Sequence, residues 1–335
     1  MNATAYNPGI SGGRREDLRN VLTILEPEET PFTSLLRKGP APKSTFIETL
    51  GDNLRKPITK GSKEGTDAQR GGNKAVNRQR FGTYIHRQMN DFGVTDVQQI
   101  ISERGGQAAV DDEYGFSKAK TLREMKRDME SVNLGSQDHQ GGDDNEMQTR
   151  GALSWISATA QSNNAVPQLF RTLSGAILSG VGTTVPLFTE DQLNGMLKTL
   201  KAVYGGKKTY QLIGGNNVVD TVDHFSRIDA YQGRYKVLED ASENEITMMV
   251  NVFDSSFGRV EVMADDFVNV DSSGNPDQNA AILINPDLWH MDLFDALHSM
   301  DLPDLGGGPT GYAKVMWALI CDSPRGNGKI YNTLT

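Results

Sequence analysis

The residues with the most chemical potential in this chain are five histidines, one cysteine and several acidic clusters, and their spacing suits neither metal binding nor acid–base catalysis. His86, His139, His224, His290 and His298 are scattered, none at a metal-ligand spacing from another. His290 and His298, with Asp287, Asp292 and Asp295, make the densest group and read as a solvated acidic loop. Asp220, Asp223 and His224 have the residue types of an acid–base set, but no G-x-S-x-G elbow or cysteine nucleophile accompanies them. The strand-like Tyr210–Ile213 followed by Gly214-Gly215 and a helix is the shape that cradles phosphate on helical N–H groups. It lacks the G-x-G-x-x-G fingerprint and the P-loop lysine, so it reads as an ordinary strand-to-helix turn. Asp265-Asp266 and Asp271–Asn275 have calcium-loop residue types without the ligand spacing. Cys321 stands alone, which excludes an intrachain disulfide and a thiolate zinc cluster and leaves a buried thiol. No catalytic, cofactor-binding or metal residue is assigned.

The informative signal is a segment that lacks chemistry, from Lys43 to Leu134. A β-prone stretch, Ser44–Leu50, gives way to a polar run through Lys60–Gly65 and Arg70–Lys74, and β character returns at Phe81–Ile85. So polar a ribbon cannot build a core of its own. Of the net charge of −9, residues 1–90 carry about +6 and the rest about −15. Much of the positive share lies on the ribbon, at Lys56, Lys60, Lys63, Arg70, Lys74, Arg78, Arg80 and Arg87. One reading is a solvated basic loop. Another is an arm steered onto the acidic body of a second copy. Nucleic acid is disfavoured by the acidic total and by the absence of interleaved aromatics.

The elements that carry this ribbon follow from periodicity. At 335 residues and a mean hydropathy of −0.48, the chain has room for two or three subdomains. No window reaches the roughly eighteen apolar residues of a membrane span, and Met1–Arg19 lacks a secretory apolar region, so residence in a cytoplasm is expected. A helix is predicted over Arg14–Leu25, and Thr30-Pro31 opens a short one as N-cap and first helical residue. After the ribbon, Phe92, Val94, Val97, Ile100 and Ile101 are expected to return the chain to a hydrophobic base. A long helix from about 107–111 to Leu134 has Phe116, Ala119, Leu122, Met125, Met129 and Val132 as its apolar stripe. Lys118, Arg123, Glu124, Lys126, Arg127, Asp128 and Glu130 fall on its polar face, and Gly135 is read as its C′ residue. Ala152–Ile156 is an apolar anchor. Thr189–Gln192 is a capping box, and a helix ended by Gly205-Gly206 follows it. A hairpin spans Ile246–Val262, Ala281–Ile284 is a buried strand, and Ala313–Ile320 is read as the last one.

Arm, ribbon, long helix and α/β unit in this order resemble the tailed-phage major capsid proteins, whose coat fold also forms the floor of herpesvirus shells. More specific echoes are Glu29–Ser34 before the ribbon, the Leu-Arg-Glu-Met-Lys-Arg-Asp-Met-Glu run ending at Glu130, Arg150–Leu153, and Val252–Gly258. The resemblance implies an α+β fold with an N-terminal arm (1–42), an extended β E-loop (43–95), a peripheral domain (96–165 and 296–335) and an axial α/β domain (166–295). The peripheral domain would hold a spine helix at about 107–134. It further implies self-assembly, as hexamers and pentamers, into an icosahedral shell around packaged double-stranded DNA held non-specifically. No cofactor and no membrane are involved. Partners would be a separate scaffolding protein, since the arm is short, together with a portal and a decoration protein, with assembly in the host cytoplasm. The E-loop contacts would be Lys56, Lys60, Lys63, Arg70, Lys74, Arg78 and Arg80. Some relatives join subunits through a Lys–Asn isopeptide bond, for which Lys60 or Lys63 is the candidate lysine, although crosslinking is not expected here. Composition alone also fits a soluble α/β enzyme with a ligand site at Gly214-Gly215, or a tail-tube or connector subunit.

Overall fold

In the computed structural model the described residues are 30–332, apart from 53, 55–58, 62, 66–77, 104–111, 142–145, 160–165, 206, 232–251, 272 and 304–305. The helix read at Arg14–Leu25 lies outside them. The elements run α1 (Pro31–Leu35), β1 (Arg37–Lys38), β2 (Phe46–Gly51), β3 (Gln79–Tyr84), β4 (His86–Gly93), α2 (Asp96–Glu103), α3 (Glu113–Leu134) and α4 (Ala152–Trp155). They continue with β5 (Ile177–Ser179), α5 (Glu190–Tyr204), β6 (Lys208–Gly214), α6 (Asn216–Tyr231), β7 (Val252–Asp254) and β8 (Gly258–Ala264). The last are β9 (Ala281–Ile284), β10 (Trp289–Asp301), β11 (Thr310–Cys321) and β12 (Gly328–Tyr331).

A six-stranded mixed sheet, ordered β5-β12-β9-β6-β8-β7, organises the larger unit, which draws on Glu28–Met89, Glu124–His298 and Lys314–Thr335. Its central strands are apolar on both faces because both are covered. Leu212, Ala281 and Leu283 meet Leu193, Met196, Leu200, Val218 and Val222 of α5 and α6. Ile213, Ile282 and Ile284 face the other way, into a cluster with Trp155, Phe81, Phe170 and Trp289. Register is fixed by pairs such as Leu212 with Leu283 and Ile213 with Ile282, since a one-residue slip would exchange the faces. The predicted capping box at α5 is complete: Gln192 N–H donates to Thr189 Oγ1 at 3.3 Å, and Gln192 Oε1 accepts from Thr189 N–H at 2.9 Å. Gly205, at φ 65°, ends the helix as expected.

Several expectations are corrected. Ala313–Ile320 lies within β11 but is not the last strand, because β12 follows and enters the six-stranded sheet between β5 and β9. The acidic segment around His290 is no loop. It is β10, thirteen residues long, in a second sheet ordered β1-β10-β11-β4. Gly135 does not take a left-handed conformation. Instead the Gln137 side-chain amide donates to the Val132 carbonyl, supplying the partner that a C′ residue would have supplied. The buried side of α3 is Thr121, Met125, Met129, Glu130, Asn133 and Leu134, while Ala119 of the expected stripe is exposed. Glu130, assigned to the polar face, is thus in the core.

Glu130 is buried because α1 needs it. Thr30 makes no side-chain cap and Pro31 has no N–H to give. The open N–H groups of Phe32 and Thr33 donate to the two Glu130 carboxylate oxygens at 2.6 and 2.8 Å.

The smaller unit contains Asn90–Arg123 and Ser299–Ala313. Tyr114 Oη donates to Asp301 Oδ1 at 2.8 Å, and Lys118 Nζ reaches the same oxygen at 3.0 Å. Phe92 packs on Tyr114 with centroids 5.6 Å apart. Val94 N–H donates to Pro309 O at 3.1 Å, closing the unit around Gly308, whose φ of 112° excludes a side chain.

Candidate assembly site

The ribbon is β2 paired antiparallel with β3, in register from Phe46 with Tyr84 to Gly51 with Gln79. Its root is clamped to the larger unit by buried polar contacts. Thr83 Oγ1 lies 3.3 Å from Thr149 Oγ1 and accepts from Arg150 N–H at 2.8 Å, while Thr149 Oγ1 accepts from Leu319 N–H at 3.1 Å. The Arg150 guanidinium is buried against Phe81 and Trp155, 4.7 and 5.7 Å from their ring centres. It donates to Asp138 Oδ1 at 2.7 Å and lies 2.6 Å from His139 Nδ1. Burial pulls the Arg150 pKa down to about 10, with Asp138 opposing. The same burial, then the Arg150 charge, pulls His139 below its ordinary value. His139 completes the root by lying beside Phe46 and Tyr84, 5.7 and 5.6 Å between centroids.

Beyond the root the ribbon is exposed and basic. Arg78 pairs with Asp52 at 3.3 Å and Arg80 with Glu48 at 3.4 Å, so both arginines bridge the two strands of their own ribbon. Lys60 and Lys63 are exposed, and Lys56, Arg70 and Lys74 lie outside the described residues. A cleft of about 480 Å³ at the root is lined by Leu50, Asp52, Phe170, Val203, Asp322 and Arg325. Its mixed charges converge on no single ligand chemistry.

Helix α2 is the second unusual surface. Val97, Ile100 and Ile101, expected to be part of a hydrophobic base, are 68, 46 and 49% exposed. Gln99 Oε1 of α2 accepts from Tyr114 N–H at 3.3 Å. Val97, Ile100 and Ile101 thus form an exposed apolar patch on α2.

The positions considered for chemistry are occupied by structural work. Gln278 Oε1 accepts from Asn216 N–H at 2.9 Å, and the Gln278 backbone lies where a Cβ on Gly215 would fall. The would-be phosphate cradle at Gly214-Gly215 is therefore filled by the chain itself, which removes the support for an enzyme site there. Asp271 Oδ1 accepts from Ser273 and Asn275 N–H at 2.8 and 2.9 Å, making a closed turn rather than a calcium loop. His290 pairs with Asp292 at 3.4 Å and Asp322 at 3.7 Å. His86 lies with its ring 4.5 Å from Trp317, and burial lowers its pKa to about 4. Asp220, Asp223 and His224 lie on α6 and are not buried, unlike Val218, Thr221, Val222 and Phe225 beside them. Cys321 is buried, and burial raises its pKa well above the ordinary thiol value. Among the described residues no group of three or more His, Cys, Asp or Glu can hold a metal, and no helix is long and apolar enough to cross a membrane. Sequence reasoning missed Lys329, a buried lysine that donates to Leu153 O at 2.8 Å and whose pKa burial lowers to about 8.

A sheet-and-helix body, a clamped polar ribbon and a helix with exposed apolar residues make up the described structure. The same fold recurs in the Cyanophage A-1(L) capsid (TM-score 0.64, 13% identity, 96% of this chain and 98% of that one). It recurs also in the Cyanophage Pam1 capsid (0.58, 10%, 98% of each) and in the SrpI encapsulin of Synechococcus elongatus (0.55, 9%, 96% and 92%). No curated protein sequence matches. The family model described as SU10 major capsid protein matches residues 2–334, and the chain belongs to that family. It is a structural protein that self-assembles into a capsid shell.

Proposed function

We propose that the β2–β3 ribbon is the E-loop of this subunit and α3 its spine helix, and that the ribbon lies over the body of a neighbouring copy. In this reading 1–42 is the arm, 43–95 the E-loop, 96–165 with 296–335 the peripheral domain and 166–295 the axial domain. The observation that carries it is the ribbon itself: exposed, basic and rigidly rooted, on a chain whose remainder is acidic. Lys56, Lys60, Lys63, Arg70, Lys74, Arg78 and Arg80 are the proposed contacts. Each exposed ion pair contributes only about 0.2–1 kcal/mol, so the effect depends on repetition around hexamers and pentamers. The cross-strand pairs of Arg78 and Arg80 preorganise the ribbon before docking. A separate scaffolding protein, a portal and a decoration protein are the proposed partners in the host cytoplasm, with packaged DNA held non-specifically.

The test is a double reversal, Lys60→Glu with Lys63→Glu. The expected result is a subunit with unchanged circular dichroism and melting that assembles poorly, most of all at low salt, where charge steering is strongest. Assembly at the wild-type rate across salt concentrations would remove these lysines from the interface.

A further inference from the structure

Ten large apolar side chains are exposed among the described residues, and five of them, Val97, Ile100, Ile101, Met300 and Leu302, belong to the smaller unit. Single exposed apolar residues are ordinary, whereas a cluster of them marks a contact surface. The three on α2 stand at i, i+3 and i+4 and so share one face of that helix. The helix also bears acidic Asp96 and Glu103 and no basic residue, and exposed Asp91 precedes it on β4. Packing this face on its equivalent in another copy would bring like charges together. A partner that is both apolar and cationic suits it instead, and the ribbon has that chemistry. Leu54 is 100% exposed and Leu50 58%. Leu50 stands opposite Arg80 in the β2–β3 register, so an apolar and a cationic side chain share one side of the ribbon. Between Phe46 and Tyr84 the chain has eight Lys and Arg against four Asp and Glu.

We infer that Leu50 and Leu54 of one copy seat on Val97, Ile100 and Ile101 of α2 in a second copy of the chain. Resting on the reading that the ribbon lies over a neighbouring body, this seat adds an apolar grip to the charged one. Exposed charge pairs steer the ribbon and weaken as salt rises. Leucines withdrawn from water hold it once it has docked, and salt does not screen that term. Approach and retention are thereby divided between two sets of residues on the same ribbon.

Photocrosslinking in assembled particles tests the seat. Leu54→Cys is labelled with benzophenone maleimide, a reagent from which the native Cys321 is shielded by burial. The labelled subunits are then co-assembled, as the minority, with isotope-enriched wild type. Mass spectrometry is expected to place the main crosslink on enriched peptides covering residues 96–101. A main crosslink on enriched peptides from elsewhere would overturn the seat while leaving the ribbon docked on a neighbour. Crosslinks confined to unenriched peptides would put the ribbon on its own copy and overturn both readings. Where labelled Leu54→Cys subunits do not enter particles, Ile100→Cys with the same reagent is the reciprocal. It is expected to mark enriched ribbon residues 46–54, and marks elsewhere would overturn the seat.

Discussion

The Arg150 guanidinium lies 4.7 Å from the centre of the Phe81 ring, so a fully buried cation ties the root of the polar ribbon to the core. The contact joins β3, which contains Phe81, to the segment leading into α4. Replacing Arg150 with Ala removes this packing and leaves Asp138 and the Phe81 and Trp155 rings beside a void. The expected loss is about 2–4 kcal/mol, read by denaturant unfolding of the unassembled subunit. Arg150→Met, which keeps most of the apolar contact, should lose less.

Gly151 offers a purely steric prediction. A Cβ there would collide with the carbonyl oxygen of Gly135, which accepts the Leu153 N–H at 3.2 Å. Both partners are backbone and cannot swing away, so Gly151→Ala should cost about 1–3 kcal/mol, seen as a lowered melting temperature. Gly195, inside α5 with open space around its Cβ, is the control: Gly195→Ala should be neutral or stabilising.

The outward face of α2 separates folding from assembly. Val97→Ser and Ile100→Ser change residues that are already exposed, so subunit stability should stay within about 0.5 kcal/mol. Shell yield, measured by sedimentation, should fall sharply because the apolar surface open to a second copy is removed. Normal shells from the double variant would assign the face another role.

The pH dependence of stability has a definite sign. The Asp265 pKa rises from 3.8 unfolded to about 8 folded, so its stabilising contribution is complete below about pH 4 and is lost as pH rises towards 8. Melting curves of wild type and Asp265→Asn should therefore diverge across that window, with the wild type declining relative to the variant. Parallel curves would contradict the assignment.

How much of this was legible in the sequence follows from what a sequence encodes. The capping box at Thr189, the buried strand at Ala281–Ile284 and the polar ribbon were readable because each is a local pattern with a local cause. Glu130 was misread because its partners, Phe32 and Thr33, are nearly a hundred residues away. In and just before β10, acidic residues at 287, 292 and 295 concealed the strand, although Trp289 and Met291 are buried. Val97, Ile100 and Ile101 were read as part of a hydrophobic base, and their apolar character alone could not say that α2 leaves them exposed. The charge division between the ribbon and the rest is a property of composition, and it was readable in full.

The central claim is that this chain builds closed shells from copies of itself. Electron microscopy with analytical ultracentrifugation of the chain, expressed alone and with the proposed scaffolding protein, tests it most directly. Closed icosahedral particles in at least one condition are the predicted result, whereas a persistent monomer or dimer in both would contradict it.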